Sequence, residues 1–538
     1  MFGYPRLIYA GFVALTLLAG GLLVWLAPAW LVLWLIPAAL VGVGAFDLAS
    51  DRNVLRNFPI VGHLRYMLEF IRPELRQYFF ESETSGRPFS REQREMVYAR
   101  GAAAPDTAPF GTIRDFEAPG YNFALHSMAP KSVDARHGRL VIGNHQCRRP
   151  YDASRLNVSA MSFGSLSGNA VAAMNRGAAL GGFAQDTGEG AISDHHRADG
   201  GDLIWEIASA YFGCRTDEGR FDPDEFASKA RTDQVRMIEI KISQGAKPGH
   251  GGLLPGAKVT DEIARVREIE PGRDCASPAS HPEFDTPLRL LRFVDRLRAL
   301  ADGKPVGFKL CLGYRHEFMG ICKAIVETGI VPDFITVDGA EGGTGAAPAE
   351  FEDFIGTYID DALPFVHACL VGIGVRDQVR VIASGKVVMG FDMVEKIALG
   401  ADMCNAARAF MFSVGCIQAR RCHTDTCPTG VATQDPRRAA ALDVLKKSLQ
   451  VRNYHDATVK SFLDIVGTMG LDDPDDLTYA HIKHRPEHGH AETFAEIEPP
   501  VATGDFLADR IPEAYRADWA RARADSFAPA ATASAARQ

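Results

Sequence analysis

Residues 156–167 read LNVSAMSFGSLS. A short apolar, β-favouring run gives way to a turn of serines and glycine, and the helical stretch GNAVAAMNRGAAL follows. The same succession recurs at GGFAQDTGEG (181–190), MIEIKIS (237–243), VGFKLC (306–311), FITVDG (334–339), VRVIASG (379–385) and ADMCNAAR (401–408). Strands alternating with helical segments specify parallel β/α units. Over this length they fit an α/β fold, a (β/α)8 TIM barrel, with its active residues at the strand C-termini. The competing architecture is an open doubly wound sheet. It would want a G-x-G-x-x-G opening a helix, and the chain has none.

The strand ends carry small residues. Ala160, Met161 and Ser162, with Gly164, Ser165 and Ser167, follow the first run and let a flat ring approach the backbone. Asp338 leads into Gly339, Gly342, Gly343 and Gly345; Ser384, Gly385 and Lys386 follow the penultimate run; Ala407 and Arg408 follow the last. The loops after strands seven and eight are the usual phosphate site of such barrels, where backbone N–H groups at a helix start hold a dianion. Each glycine-rich loop taken alone is a turn. Together, at successive strand ends, they suit a phosphorylated flat cofactor, and FMN fits.

Charged residues interrupt the apolar runs. Lys241 lies between Ile240 and Ile242, and Lys247 lies in the following AKPGHGG loop, an arrangement suited to holding carboxylate or phosphate. Gly188 and Glu189 end the second run. Lys309 sits inside VGFKLC and needs a partner if it points inward; the flavin edge that gains charge on reduction would be one. Farther on, GCIQARRCHTDTCPTG (415–430) places Cys416, Cys422 and Cys427 in a C-x5-C-x4-C pattern. Zinc with His423, an iron–sulfur cluster and a redox thiol group are all compatible with three such residues. Zinc loops favour C-x2-C, and three thiolates without a fourth suit a three-iron cluster.

The whole chain has 538 residues and a formal net charge of -9, which gives no basic footprint for nucleic acid. The other seven of its ten cysteines are scattered, so no disulfide framework is expected. No charged residue occurs between Arg6 and Asp47. Leu7–Ala27 and Leu31–Phe46, broken at Pro28, read as a transmembrane hairpin; a cleaved signal or a buried hairpin would be shorter. Arg6 precedes the pair and Arg52, Arg56 and Arg65 follow it, so both ends are expected in the cytoplasm of a two-pass inner or plasma membrane protein. The expected domains are 1–50, the hairpin; 51–119, a basic and aromatic juxtamembrane collar; 120–490, the barrel; and 491–538, a partly disordered tail ending in FAPAATASAARQ.

SAMSFGSLS, TGEG, KISQGAKPGHGGLLPGAKV, GGTGAAP and the cysteine triplet running into GVATQDP resemble the FMN-binding synthase domain of glutamate synthases over roughly residues 110–480. The resemblance implies FMN and a [3Fe-4S] cluster on Cys416, Cys422 and Cys427. It implies addition of ammonia to a 2-oxo acid and hydride reduction of the imine, with Gly188, Glu189, Lys241, Lys247 and Arg267 at substrate or flavin positions. Against the family pattern GEGGQLPG, this chain has His250 and Leu253, and leucine cannot donate a hydrogen bond to a carboxylate. No amidotransferase domain and no nicotinamide fingerprint are present. Free ammonia or an amine and an electron-donor partner protein are therefore expected. Three readings compete: a synthase making glutamate or an N-substituted glutamate, a membrane-linked flavin and iron–sulfur electron-transfer protein without synthase activity, and a structural or regulatory relative that binds FMN without turnover.

Overall fold

The computed structural model describes residues 4–530. The chain divides into two compact units between Pro88 and Phe89.

In the larger unit eight parallel strands close into a barrel. They are β1 (Leu156–Val158), β2 (Gln185–Asp186), β3 (Leu203–Ile207), β4 (Val235–Lys241), β5 (Val306–Leu310), β6 (Phe334–Asp338), β7 (Arg380–Ser384) and β8 (Met403–Ala406). Each pairs with its sequence neighbour, and β8 pairs with β1 to close the ring. Seven of the eight lie in the runs named above. The eighth, β3, was missed because the acidic Glu206 breaks the apolar pattern of LIWEI, although all five residues are buried.

Side chains alternate inward and outward along each strand, and the inward ones stack in layers. The floor is Ala184, Ile204, Met237, Phe334, Ile382 and Met403, closed from below by Ile142 and Tyr151 of the hairpin Arg139–Ile142/Tyr151–Ser154. One step up, the layer is polar: Asp186, Glu206, Glu239, Lys309 and Thr336, all buried. The strand ends above it form the mouth. Barrel helices such as Gly168–Gly181 and Arg315–Thr328 end on glycine in the left-handed conformation, Gly182 at φ 67° and Gly329 at φ 67°, which lets the chain turn back toward the next strand.

The domain boundaries differ from expectation in two places. Residues 89–119 belong to the barrel unit. The helix Arg91–Gly101 docks there through Arg100 Nη1, which donates to Thr458 Oγ1 at 3.1 Å, and Phe89 packs edge-on against Phe412. Much of the expected tail also carries structure: Phe506 N donates to Gly372 O at 2.9 Å, and Tyr515, in the helix Glu513–Arg521, stacks on Phe365. Isolated aromatics anchor this segment without an apolar period, so the pattern did not reveal it. Residues 531–538, where the low-complexity end falls, lie outside the described residues.

The smaller unit opens with two long helices, Tyr4–Leu26 and Leu31–Ala49, and continues with the shorter Asn53–Asn57 and Gly62–Leu75. Tyr9 Oη donates to Val41 O at 2.6 Å and Trp34 Nε1 donates to Thr16 O at 2.7 Å, so the helices run back along each other. Gly44 and Gly20 provide the close approach, since a Cβ at either would fall on the Tyr9 or Trp34 ring. Their outward residues, among them Leu7, Trp25, Ile36 and Phe46, are exposed and apolar. Both helices are long and apolar enough to cross a membrane. A 23-residue helix is about 34 Å long, against a hydrocarbon core of about 30 Å.

Candidate active site at the barrel mouth

Lys241 ends β4, and Glu189 lies three residues past the end of β2. Lys241 Nζ donates to Glu189 Oε2 at 2.9 Å and stands 4.0 Å from Glu206 Oε1 in the layer below. Burial alone would raise the Glu189 carboxyl; Lys241, and then Arg267 and Lys247, hold it down at about 2. Glu189 is therefore an anion at neutral pH, set among three cations. Glycine at 252 leaves Glu189 its room, since a Cβ there would press on the carboxylate. Glu189, Lys241, Ser243, Gln244, His250 and Gly252 line one cavity.

Arg267 and Lys247 complete this side of the mouth. Arg267 is buried; its Nη2 donates to Phe163 O at 3.0 Å and Ser162 Oγ at 3.3 Å, and its guanidinium lies over the Phe212 ring. Its Nε is buried with no partner, and no carboxylate stands within ion-pair distance among the described residues. Lys247 is buried and donates to Ala346 O at 3.2 Å, and burial lowers its pKa. A fixed guanidinium and ammonium without carboxylates of their own can receive an anionic ligand.

The glycine loops build the rest of the mouth. Gly188 packs on the Met161–Ser162 backbone, where a Cβ would come within 2.6 Å of Ser162 N. Ala160 lies two residues past β1 and Ala407 directly follows β8, and their preceding residues are joined by the Ser159 N to Ala406 O bond of 2.9 Å. Ser384 Oγ lies 3.3 Å from Ser159 Oγ, and Asp338 Oδ2 accepts from Gly245 N at 2.7 Å. Arg408 packs on Gly343, lies 4.6 Å from the Phe89 ring centroid and donates to Glu341 O at 2.8 Å. It too has no carboxylate within ion-pair distance among the described residues. Gly385 approaches Glu341 Oε1, a buried atom with no partner. Burial pushes the Glu341 carboxyl up to about 7.

Two expectations need revision. Lys309 does not need a flavin edge as its partner. It is enclosed by Glu206 and by Glu239, whose Oε2 is at 3.1 Å, and Glu239 accepts a 2.5 Å bond from Thr336 Oγ1. Leu253 is 38% exposed and does not line the cavity around Glu189. Sequence reasoning also missed Asp186, Glu206 and Glu239; the signal was an acidic residue in the middle of each apolar run.

Cys416, Cys422 and Cys427 come together beside the mouth. A Cβ on Gly345 would lie 4.0 Å from Cys422 Cβ. The cysteine loop is held from outside its own segment. Tyr98 Oη donates to Cys416 O at 2.6 Å, Gln418 bonds both backbone groups of Phe89, and Gln434 Nε2 donates to Gly164 O and Leu166 O. Among the described residues the ligand atoms that gather within 4.8 Å of one another are those of Asp186, Glu206 and Glu239; the three sulfurs are spread more widely. A single tetrahedral zinc, with Zn–S of about 2.3 Å, would hold sulfurs about 3.8 Å apart.

The model of a conserved region in glutamate synthase matches residues 125–472. A glutamate synthase large subunit-like protein of Bacillus subtilis is 38% identical over 82% of this chain and 91% of its own length. An archaeal-type glutamate synthase [NADPH] of a Thermotoga species is 34% identical over 58% of this chain and 59% of its own. The NADPH-named large chain of Bacillus subtilis is 35% identical over 52% of this chain, which spans 18% of that protein. A solved mandelate oxidase superposes with a TM-score of 0.42 at 15% identity over 78% of this chain and 99% of its own, and adds nothing to what the closed barrel shows. With a closed (β/α)8 barrel, Glu189 and its cations at the mouth and the matched region spanning both, this chain belongs to the glutamate synthase family, a family of FMN-type oxidoreductases.

Proposed function

We propose that this chain is an FMN- and iron–sulfur-dependent oxidoreductase that reductively aminates a 2-oxo acid such as 2-oxoglutarate, yielding glutamate or an N-substituted glutamate. Ionised Glu189 beside Arg267 and Lys247 carries this reading. An imine derived from a 2-oxo acid presents carboxylates to fixed cations and a protonated nitrogen to a fixed anion, and the mouth supplies both signs with no reorganisation.

FMN fits the mouth: the glycine loops leave backbone edges open, and Arg408 is a half-buried cation with no carboxylate within ion-pair distance among the described residues. Met161, Ser162, Gly343, Gly345, Ser384 and Gly385, with Ala160, Asp338 and Ala407 behind them, would hold it. FMN would supply hydride. Arg267 and Lys247 would orient the acid groups, and the anionic Glu189, steadied by Lys241, would hold the protonated nitrogen by its charge. A [3Fe-4S] cluster fits three widely spaced thiols better than zinc does, and its role would be to feed electrons in from a donor protein. The two apolar helices support anchorage in the inner or plasma membrane, with the barrel on the cytoplasmic side.

The membrane-length helices also favour a second reading, electron transfer without synthesis. Stopped-flow reoxidation of the reduced, full-length protein decides between the two. A 2-oxo-dicarboxylic acid with ammonia or a small amine is expected to accelerate reoxidation and yield the amino acid; no acceleration by any pair would leave the electron carrier. Iron near three and acid-labile sulfide near four per chain are expected, and zinc at one per chain would overturn the cluster.

A further inference from the structure

Lys258 closes the short turn Gly256–Lys258 and is 2% exposed. Its Nζ donates to Ser165 O at 2.7 Å, Cys422 O at 3.3 Å and Ala432 O at 3.4 Å. Three acceptors from three chain segments satisfy its three donors. None carries a formal charge, and among the described residues no carboxylate stands within ion-pair distance. Asp425 acts on it only from farther away, with Oδ1 taken by Gln434 N at 2.7 Å. A buried ammonium met only by carbonyls is hydrogen-bonded but not neutralised.

Anchoring alone does not require that charge. Gln434, through Gly164 O and Leu166 O, and the Ser167 N to Val431 O bond of 3.0 Å already tie the cysteine loop to the loop after β1 with neutral groups. A lysine at the same junction adds one thing those bonds lack, a positive charge facing Cys422 and Cys427.

Resting on the iron–sulfur reading above, we infer that Lys258 is a positioning residue for the cysteine site, whose fixed charge offsets the thiolate-bound cluster and raises its reduction potential. Reduction adds one electron to a group that is already anionic, so a neighbouring cation favours the reduced form. Through Ser165 O and Cys422 O the same side chain spans the flavin side and the cluster side of the mouth.

The test is potentiometric titration of the intact protein, followed by electron paramagnetic resonance for the cluster and absorbance for the flavin. Lys258→Met is expected to disfavour cluster reduction at least tenfold, a fall of about 59 mV for a one-electron couple, with the flavin moving less. Lys258→Arg is expected to stay near wild type. A cluster potential unmoved in Lys258→Met with its iron retained overturns the inference. If Lys258→Met loses iron, Lys258→Gln keeps donors for the carbonyls without the charge, and an unmoved potential there overturns it equally. Iron loss in Met and Gln but not Arg supports a need for charge; loss in all three overturns it in favour of shape. Wild-type protein without iron and labile sulfide would instead remove the cluster reading itself.

Discussion

Two buried regions of the barrel unit handle charge in opposite ways. In the polar layer Lys309 is enclosed by Glu206 and Glu239, and Asp186 stands beside them with its carboxyl raised by burial and by those same acids. At the mouth Arg267, Lys247 and Lys258 are buried and Arg408 is half-buried, with carbonyls, rings or hydroxyls for company and, among the described residues, no carboxylate within ion-pair distance. In the first region the buried cation is met by acids, whereas in the second positive charge is left over. The difference teaches where to look for ligands: a neutralised cluster holds a fold together, and an unneutralised one is shaped for anions brought from outside.

The comparison breaks first at Lys309. Lys309→Met would strand two buried carboxylates, and removing one partner of a buried pair costs about 3–5 kcal/mol. A Tm fall of roughly 3–5 °C is expected for a unit of this size, more than for Lys247→Met or Arg408→Met. Equal losses from both regions would show that the mouth cations are structural after all.

Glu189→Gln comes next. A fixed charge placed against the reacting group is worth roughly a hundredfold or more. Turnover of oxo-acid and amine is expected to fall by about that factor while dithionite still reduces the flavin normally. Arg267→Lys sharpens the same point at smaller scale. Loss of one charged hydrogen bond is worth about 1.5–3 kcal/mol, so KM for the oxo-acid should rise roughly tenfold to a hundredfold with kcat less affected.

Glu341 tests the phosphate side. Its carboxyl is raised from the ordinary 4.5 to about 7, so the folded protein holds a proton there that the unfolded chain has already lost. Stability therefore falls as pH rises from about 4.5 to about 7 and is level above it. Lys396 and Asp360 also face this group. Glu341→Gln should flatten that limb in thermal melts across the pH range, and should tighten FMN binding at pH 8 relative to wild type. The smallest effect is expected at Leu253→Gln. That side chain is 38% exposed and outside the cavity, so a change of more than about threefold in oxo-acid affinity would show that the loop closes further over its ligand.

The alternating runs, the glycine loops and the cysteine triplet were legible as sequence, because strand ends, tight turns and thiol spacing are local properties. They specify the barrel, its mouth and seven of its strands. The strand Leu203–Ile207 was not legible, since Glu206 looks like a surface residue until Lys309, about a hundred positions away, is seen to neutralise it. Tyr98 and Phe89 gave no sign of gripping the cysteine loop, as both lie more than three hundred residues from it. What sequence alone determined was which residues can do chemistry and in what order they come. Which cations keep their charge unspent, and which are silenced by buried acids, only the tertiary structure decided, because Coulomb interactions depend on distance in space and burial, and neither is written along the chain.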